Sequence, residues 1–260
     1  MGRFRGAFLK ARITRDCMRK NTIRLYVEGP LKPGLEIDCT RAQANYLVNV
    51  MRLQTGAELL VFDGQTGEWL AQTTVHGRGQ CLLNIQDHVR GQEEGPDIHY
   101  LFAPLKRARL DYMVQKATEL GVAALVPVFT QHTSAQRIKL DRMRSNVIEA
   151  AEQCGVLRIP EVHEPVSLDK LLDDWDAPRR IIYCDEKAPL ASPLEGLRAL
   201  EPGPMAVLVG PEGGFDAREQ ERLRDQSYVT SVSLGPRVMR ADTAAVAALA
   251  LVNAVLGDWR

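Results

Sequence analysis

Little in this sequence points to a metal or to covalent cross-links. Its five cysteines, Cys17, Cys39, Cys81, Cys154 and Cys184, are widely spaced, form no CxxC pair and have no histidine at ligand spacing. That excludes the usual structural zinc patterns and predicts reduced thiols in a cytoplasmic protein. No run approaches the roughly 18 apolar residues of a membrane span, and no charged start followed by an apolar block resembles a secretory signal. Surplus charge is also missing: 33 basic and 33 acidic side chains give a formal net charge of zero. Any contact with nucleic acid must therefore come from local basic patches. The phosphate-binding signatures are absent too. Gly210-Pro211-Glu212-Gly213-Gly214 is followed by no Lys-Ser or Lys-Thr at Walker spacing and does not read G-x-G-x-x-G.

What is present is enough for a substantial core: 260 residues with an apolar fraction of 45% suit one large domain or two ordinary ones. Residues 1–20 form a basic extension; within the first 24, eight side chains are basic and only Asp16 is acidic. The segment reads as a nucleic-acid arm, a transit-type presequence or an upstream extension before a start at Met18. Residues 21–90 carry short strand-like runs, Ile23 to Val27, Leu35 to Cys39, Glu58 to Phe62, Glu68 to Val75 and Gln80 to Ile85, separated by turn signals such as Asp63-Gly64. One amphipathic helix, Thr40 to Leu53, interrupts them, which predicts a small β-barrel with a helix. His88 to Asp97 is polar, glycine-bearing and aperiodic, a linker.

From residue 97 to 260 strands and helices alternate, the pattern of an α/β domain with a mostly parallel sheet covered on both faces. The last helix, Arg240 to Leu256, is apolar almost all round. It must be buried against several neighbours, either as a central core helix or across a second subunit. Two segments stand out. Leu208-Val209-Gly210-Pro211-Glu212-Gly213-Gly214-Phe215 and Leu234-Gly235-Pro236-Arg237-Val238-Met239-Arg240-Ala241-Asp242-Thr243 each follow a strand-like run and precede a helix. Loops at the carboxyl ends of strands are where open α/β sheets bind ligands, and paired glycines are accepted where a backbone must turn tightly or admit a ligand.

These two segments, together with LKRARLDYMVQKATELGVAALVPV and KLDRMRSNVIEAAEQCGVLRIPEV upstream, resemble the SPOUT methyltransferases. Among them the chain is most similar to the bacterial family that methylates N3 of a uridine in 16S ribosomal RNA, over essentially Thr22 to Leu256. The barrel, with Phe62-Asp63-Gly64 and Gly67-Glu68-Trp69, resembles that family's PUA-like RNA-binding domain. The resemblance implies a C-terminal trefoil knot, S-adenosylmethionine as methyl donor, a homodimer through the C-terminal domain, and 16S ribosomal RNA or the small subunit as partner. It places Gly210, Pro211, Gly213 and Gly214 in one cofactor loop, Leu234, Gly235, Val238 and Met239 in another, and the strand end Tyr183 to Glu186 as a third wall. Asn45 and Asn49 stand where the family often has histidines. Two other readings stay open: a SPOUT enzyme methylating ribose 2′-OH in transfer RNA, and a non-catalytic RNA-binding factor.

The chemistry so implied needs no metal. Neutral uracil must lose its N3 proton before it attacks a methyl carbon, and a fixed cation nearby would ease that loss. Arg240, after the second loop, is the candidate catalytic residue, with a phosphate clamp as its competing role. Glu212 and Asp242 are candidate bases that helix capping explains equally well. Candidate RNA contacts are Arg24 and Arg52 on the barrel and Lys106, Arg107 and Arg109 at the start of the first C-domain helix.

Overall fold

The computed structural model describes residues 22–76, 79–135, 137–176, 178–188 and 192–259. The expected basic extension over residues 1–20 lies outside them. The chain divides into two compact units between Glu94 and Gly95.

In the first unit, β1 (Arg24–Tyr26), β2 (Glu36–Asp38), β3 (Glu58–Phe62), β4 (Glu68–His76) and β5 (Gln80–Arg90) form a five-stranded sheet in the order β1-β3-β4-β5-β2. Only β1 and β3 run parallel. Strand alternation sends Leu59, Val61, Trp69, Ala71, Leu83 and Ile85 inward, where they meet Leu25 and Leu47. The Asp63-Gly64 turn joining β3 to β4 is organised by the Asp63 carboxylate. It accepts hydrogen bonds from the backbone N–H of Leu31, Gln65 and Thr66 and from the Thr66 hydroxyl. Burial alone would raise its pKa, but these donors outweigh burial and hold the carboxyl below its ordinary range.

Two expectations are corrected here. The helix predicted from Thr40 to Leu53 begins with the expected cap, a box in which Thr40 and Gln43 satisfy each other's backbone N–H. It is α-helical only over α1 (Arg41–Ala44) and continues as a π-helical turn, Asn45–Val50. The wider turn lets Met51 N–H reach the Tyr46 carbonyl and leaves Val50 and Met51 exposed. Strand β5 also runs five residues past Ile85 into the expected linker, because Trp69 pairs with His88 and Glu68 with Arg90.

The second unit holds β6 (Ile98–Phe102), α2 (Arg107–Glu119), β7 (Ala124–Phe129), α3 (Leu140–Cys154), β8 (Glu161–Val162), β9 (Val166–Ser167), α4 (Leu168–Asp173), β10 (Arg180–Cys184), α5 (Pro193–Arg198), β11 (Met205–Val209), α6 (Ala217–Arg224), β12 (Val229–Val232) and α7 (Ala241–Val255). Its seven-stranded sheet runs β12-β10-β11-β6-β7-β8, with β9 also paired to β7, and every pairing is parallel. Side-chain alternation splits the core in two. Tyr100, Phe102, Ile182, Val207 and Val209 face α2, α3 and α7, whereas Leu101, Ile181, Tyr183, Ala206 and Leu208 face α4 and α6. The strands are buried on both sides, as the alternation of elements requires.

Helix α7 buries Ala244, Ala245, Ala248, Leu249 and Val252 against α2, α5 and β11. Small alanines let it approach the sheet closely. Val246, Ala247, Ala250 and Leu251 remain only half-buried, and Ala254 is exposed, so an apolar stripe is left along its outer side.

Candidate functional site

The strand order sets β10 between β11 and β12, so the carboxyl ends of three sequence-distant strands meet. After β11 the chain turns through Gly210 to Phe215. Gly214 N–H donates to the Pro211 carbonyl, with Gly214 at φ +70°, a left-handed conformation that favours glycine. Gly210 is required for a different reason: a Cβ there would lie 2.5 Å from Cε2 of Phe215. The Phe215 ring is buried and meets Tyr183 edge-on at 5.2 Å. Asp216 then starts α6 through a capping box with Glu219.

After β12, Gly235 turns the chain at φ +110°, and Arg240 precedes the first turn of α7 in an extended conformation. After β10, the Asp185 backbone N–H bonds the Val232 carbonyl. The Asp185 side chain, 2% exposed as a residue, accepts from Arg224 Nη2 at 2.7 Å and Nε at 3.0 Å. This ion pair ties the β10 end to the end of α6.

These three turns wall one cleft, placed at strand ends where open α/β sheets bind small molecules. Gly210, Pro211 and Gly214 line one side, and Leu234, Gly235, Val238 and Met239 line another. Tyr183 to Glu186 close the third side, and Ala241 and Ala244 of α7 complete the wall. Gly213 stands apart: it faces outward, and a Cβ there would meet His132 Cβ at 3.2 Å. Cys184 is no nucleophile, since burial pushes its thiol up to about 12. Among the described residues no His, Cys, Asp and Glu group is arranged to hold a metal.

The cations predicted from sequence fall into distinct settings. Arg240 is exposed beside the second turn. Lys106, at the N-cap of α2, and Arg107 are exposed. Arg109 pairs with Glu212 of the glycine turn, so α2 and that turn are linked directly. On the barrel, Arg52 is exposed and adopts φ +57°, uncommon for a non-glycine residue. Arg24 is a correction. Its guanidinium donates to Glu68 at 2.7 Å with only 11% of the side chain exposed, and it lies 4.6 Å from the Phe62 ring centroid. It is occupied in holding β1 to the barrel.

Four residues at the site were not anticipated from sequence: Phe215 under Gly210, Arg224 on Asp185, Glu219 and His132. Glu219 Oε1 accepts from the Gln131 backbone N–H at 2.8 Å, and His132 Nδ1 lies 3.1 Å from the Gly214 carbonyl oxygen. Together they fasten the loop after β7 to the glycine turn. The capping box at Asp216 was visible as a D-x-x-E pattern; the contacts with Gln131 and His132, more than eighty residues away, leave no local signal.

Comparison with known proteins agrees with this architecture. Residues 93–253 match the family of RNA methyltransferase domains, and residues 40–86 match the RNA methyltransferase PUA domain. The ribosomal RNA small subunit methyltransferase E of a Synechocystis species is 32% identical over 85% of this chain and 73% of its own length. That of Rickettsia conorii is 27% identical over 88% of this chain and 94% of its own. Among solved structures, a methyltransferase from Legionella pneumophila bound to S-adenosylmethionine superposes with a TM-score of 0.82 at 30% identity, covering 92% of this chain and 99% of that one. The Neisseria gonorrhoeae ribosomal RNA small subunit methyltransferase E, also bound to S-adenosylmethionine, gives 0.81 at 25% identity over 92% and 100%. The paired glycine turns, the barrel and this end-to-end likeness make the chain a member of the ribosomal RNA small subunit methyltransferase E family, with an N-terminal PUA-like barrel and a C-terminal α/β domain of the SPOUT type.

Proposed function

We propose that this protein transfers a methyl group from S-adenosylmethionine to N3 of a uridine in the 16S ribosomal RNA of the small subunit. The observation that carries the reading is the single cleft walled by both glycine turns, in a chain whose relatives are named for this class of RNA. The residues fit the cofactor. Gly214 and Gly235 turn their backbone with positive φ beside the cleft, Leu234, Met239 and Phe215 offer apolar walls for an adenine, and Glu186 offers a carboxylate beside Gly214. When bound, S-adenosylmethionine supplies a methyl carbon made electrophilic by a sulfonium.

The protein's own part is to hold the base in line with that carbon, worth up to roughly 7–11 kcal/mol when geometry is right, and to make N3 an anion. Arg240, exposed at the mouth beside Met239 and Ala241, stabilises the developing anion; a guanidinium within about 4–6 Å typically lowers an acid's pKa by 1–3 units. Lys106, Arg107 and Arg52 take RNA phosphates. The two turns cross as the knot of the SPOUT enzymes, and the apolar stripe of α7 is covered by a second copy of this chain. The test is mass mapping of nucleosides after incubation with S-adenosylmethionine and small subunits lacking the modification. N3-methyluridine supports the reading, whereas a ribose-methylated product or no cofactor binding by calorimetry refutes it.

A further inference from the structure

The start of α6 carries a polar side chain where packing alone would favour an apolar one. Helices that begin with a capping box, as this one does at Asp216 and Glu219, often pack the residue before the cap against the fourth helical residue, apolar on apolar. Phe215 fills the first of these positions and is buried, but the second holds Gln220. Taking an amide out of water is costly unless both of its ends find partners. Gln220 is only 8% exposed, and one end alone is matched. Its Nε2 donates to the Phe215 carbonyl oxygen at 2.6 Å; that oxygen can only accept, which fixes the nitrogen on this side and leaves Oε1 on the other.

Oε1 has no partner among the described residues, and it is not one of the unpartnered atoms shut away from the surface. The space that opens beside Gln220 is the cleft, which it lines together with Phe215, Val209 and Leu234. Arg224 lies one turn further along the same face of α6 and holds Asp185 of the β10 wall. That face therefore brings two polar residues to the cleft, one engaged in the wall and one with an acceptor still open. A cation is met better by a carboxylate such as Glu186, whereas an amide oxygen suits an uncharged N–H or O–H. In a methyl donor built on adenosine, those are the 6-amino group of the base and the ribose hydroxyls.

Resting on the S-adenosylmethionine part of the reading above, we propose that Gln220 is a specificity residue of the cleft, its Oε1 accepting a hydrogen bond from the adenosine portion of the cofactor. The bond to Phe215 holds the amide in place before the ligand arrives, so the acceptor is presented without a rotamer search. The ring of the same Phe215 belongs to the apolar wall beside it. One turn thus offers a surface for the base and, through Gln220, a test of its hydrogen-bonding groups.

Gln220→Met and Gln220→Leu lose the acceptor while giving Phe215 the apolar neighbour usual at such helix starts. Calorimetry on the full chain measures Kd for five ligands. S-adenosylhomocysteine is the reference; S-inosylhomocysteine carries a carbonyl in place of the 6-amino group, the 2′-deoxy and 3′-deoxy forms of the reference each lack one hydroxyl, and 5′-methylthioadenosine lacks the ammonium. The wild-type protein should prefer the reference on the order of tenfold over whichever analogue lacks the donor that Oε1 meets, and both variants should lose that preference. Binding of 5′-methylthioadenosine should weaken in the variants as much as binding of the reference. An amide that merely supports the turn would, when removed, weaken every ligand alike and leave the preferences standing. Equal preferences in wild type and variants, a wild type that binds all base and ribose analogues equally, or an effect confined to ligands with the ammonium overturns the proposal while leaving methyl transfer intact. A wild-type protein that binds neither S-adenosylmethionine nor S-adenosylhomocysteine overturns both.

Discussion

The clearest mechanical demand in the site is that Gly210 lack a side chain, and Gly210→Ala tests it. A methyl there would sit 2.5 Å from Cε2 and 2.9 Å from Cδ2 of Phe215, well inside van der Waals contact, so either the ring or the turn must move. The ring has little room, being 6% exposed and set edge-on against Tyr183. Overpacking of this kind costs about 1–3 kcal/mol, and loss of the edge-to-face pair accounts for roughly 0.5–1.5 of that. At 2–4 °C per kcal/mol for a unit of this size, Tm falls by roughly 2–12 °C. Because the same turn lines the cleft, cofactor affinity should fall as well. Phe215→Leu alone costs about 1–2 kcal/mol through lost packing. The double variant relieves the clash, so its destabilisation should be smaller than the sum of the singles by about 1–2 kcal/mol, read from urea unfolding. Additivity within about 0.5 kcal/mol, the behaviour of independent sites, would refute the steric argument.

Other consequences are equally direct. Asp185→Asn removes the charge from the pair with Arg224 and should cost about 1–3 kcal/mol, with weaker cofactor binding by calorimetry because the β10 wall loosens; unchanged affinity would show that the pair serves the fold alone. His99, at the opposite end of the sheet, is held down to about 4 by burial first and by the nearby Arg179 second. Its folded pKa lies below the unfolded value of about 6.5, so its contribution to stability is full above pH 6.5 and declines as pH falls towards 4. His99→Gln should flatten the Tm profile in that window, and an unaltered profile would refute the assignment. On RNA, Arg107→Ala should lower the slope of log affinity against log salt by about 0.7–0.9, one phosphate contact. Arg24→Ala should leave that slope unchanged yet destabilise the barrel by about 1–3 kcal/mol, since it strips Glu68 of a buried partner.

How far the sequence carried depends on the range of the interaction concerned. The glycine turns were legible because positive φ at a strand end leaves a local mark, and the α/β alternation because strands buried on both faces must read as apolar runs. Gly213 was assigned to the cofactor wall by resemblance, but the turn places it against His132, a neighbour eighty-one residues earlier in the chain. Arg24 looked like an exposed cation because its partner Glu68 lies on another strand. The short β8, β9 and α4 segments were missed since two-residue strands and a six-residue helix carry too little periodicity to register. The π-helical turn after Ala44 leaves no mark in helix propensity, which made Thr40 to Leu53 look uniformly helical.

Zero net charge and an RNA substrate are reconciled by where the acids are spent. Asp97 holds Arg179, Asp169 holds Arg218 and Arg222, Asp173 shares Arg222, and Asp185 holds Arg224. Most of these pairs lie on the α4 and α6 side of the sheet, where each acid cancels an arginine. At the start of α2, Lys106 and Arg107 make no ion pair among the described residues, and Arg240 makes none beside the cleft mouth. The field an approaching polyanion meets is set by these uncancelled charges and not by the sum over the chain. A neutral protein can therefore show the steep salt dependence of a basic one, provided its cations are gathered where its carboxylates are not.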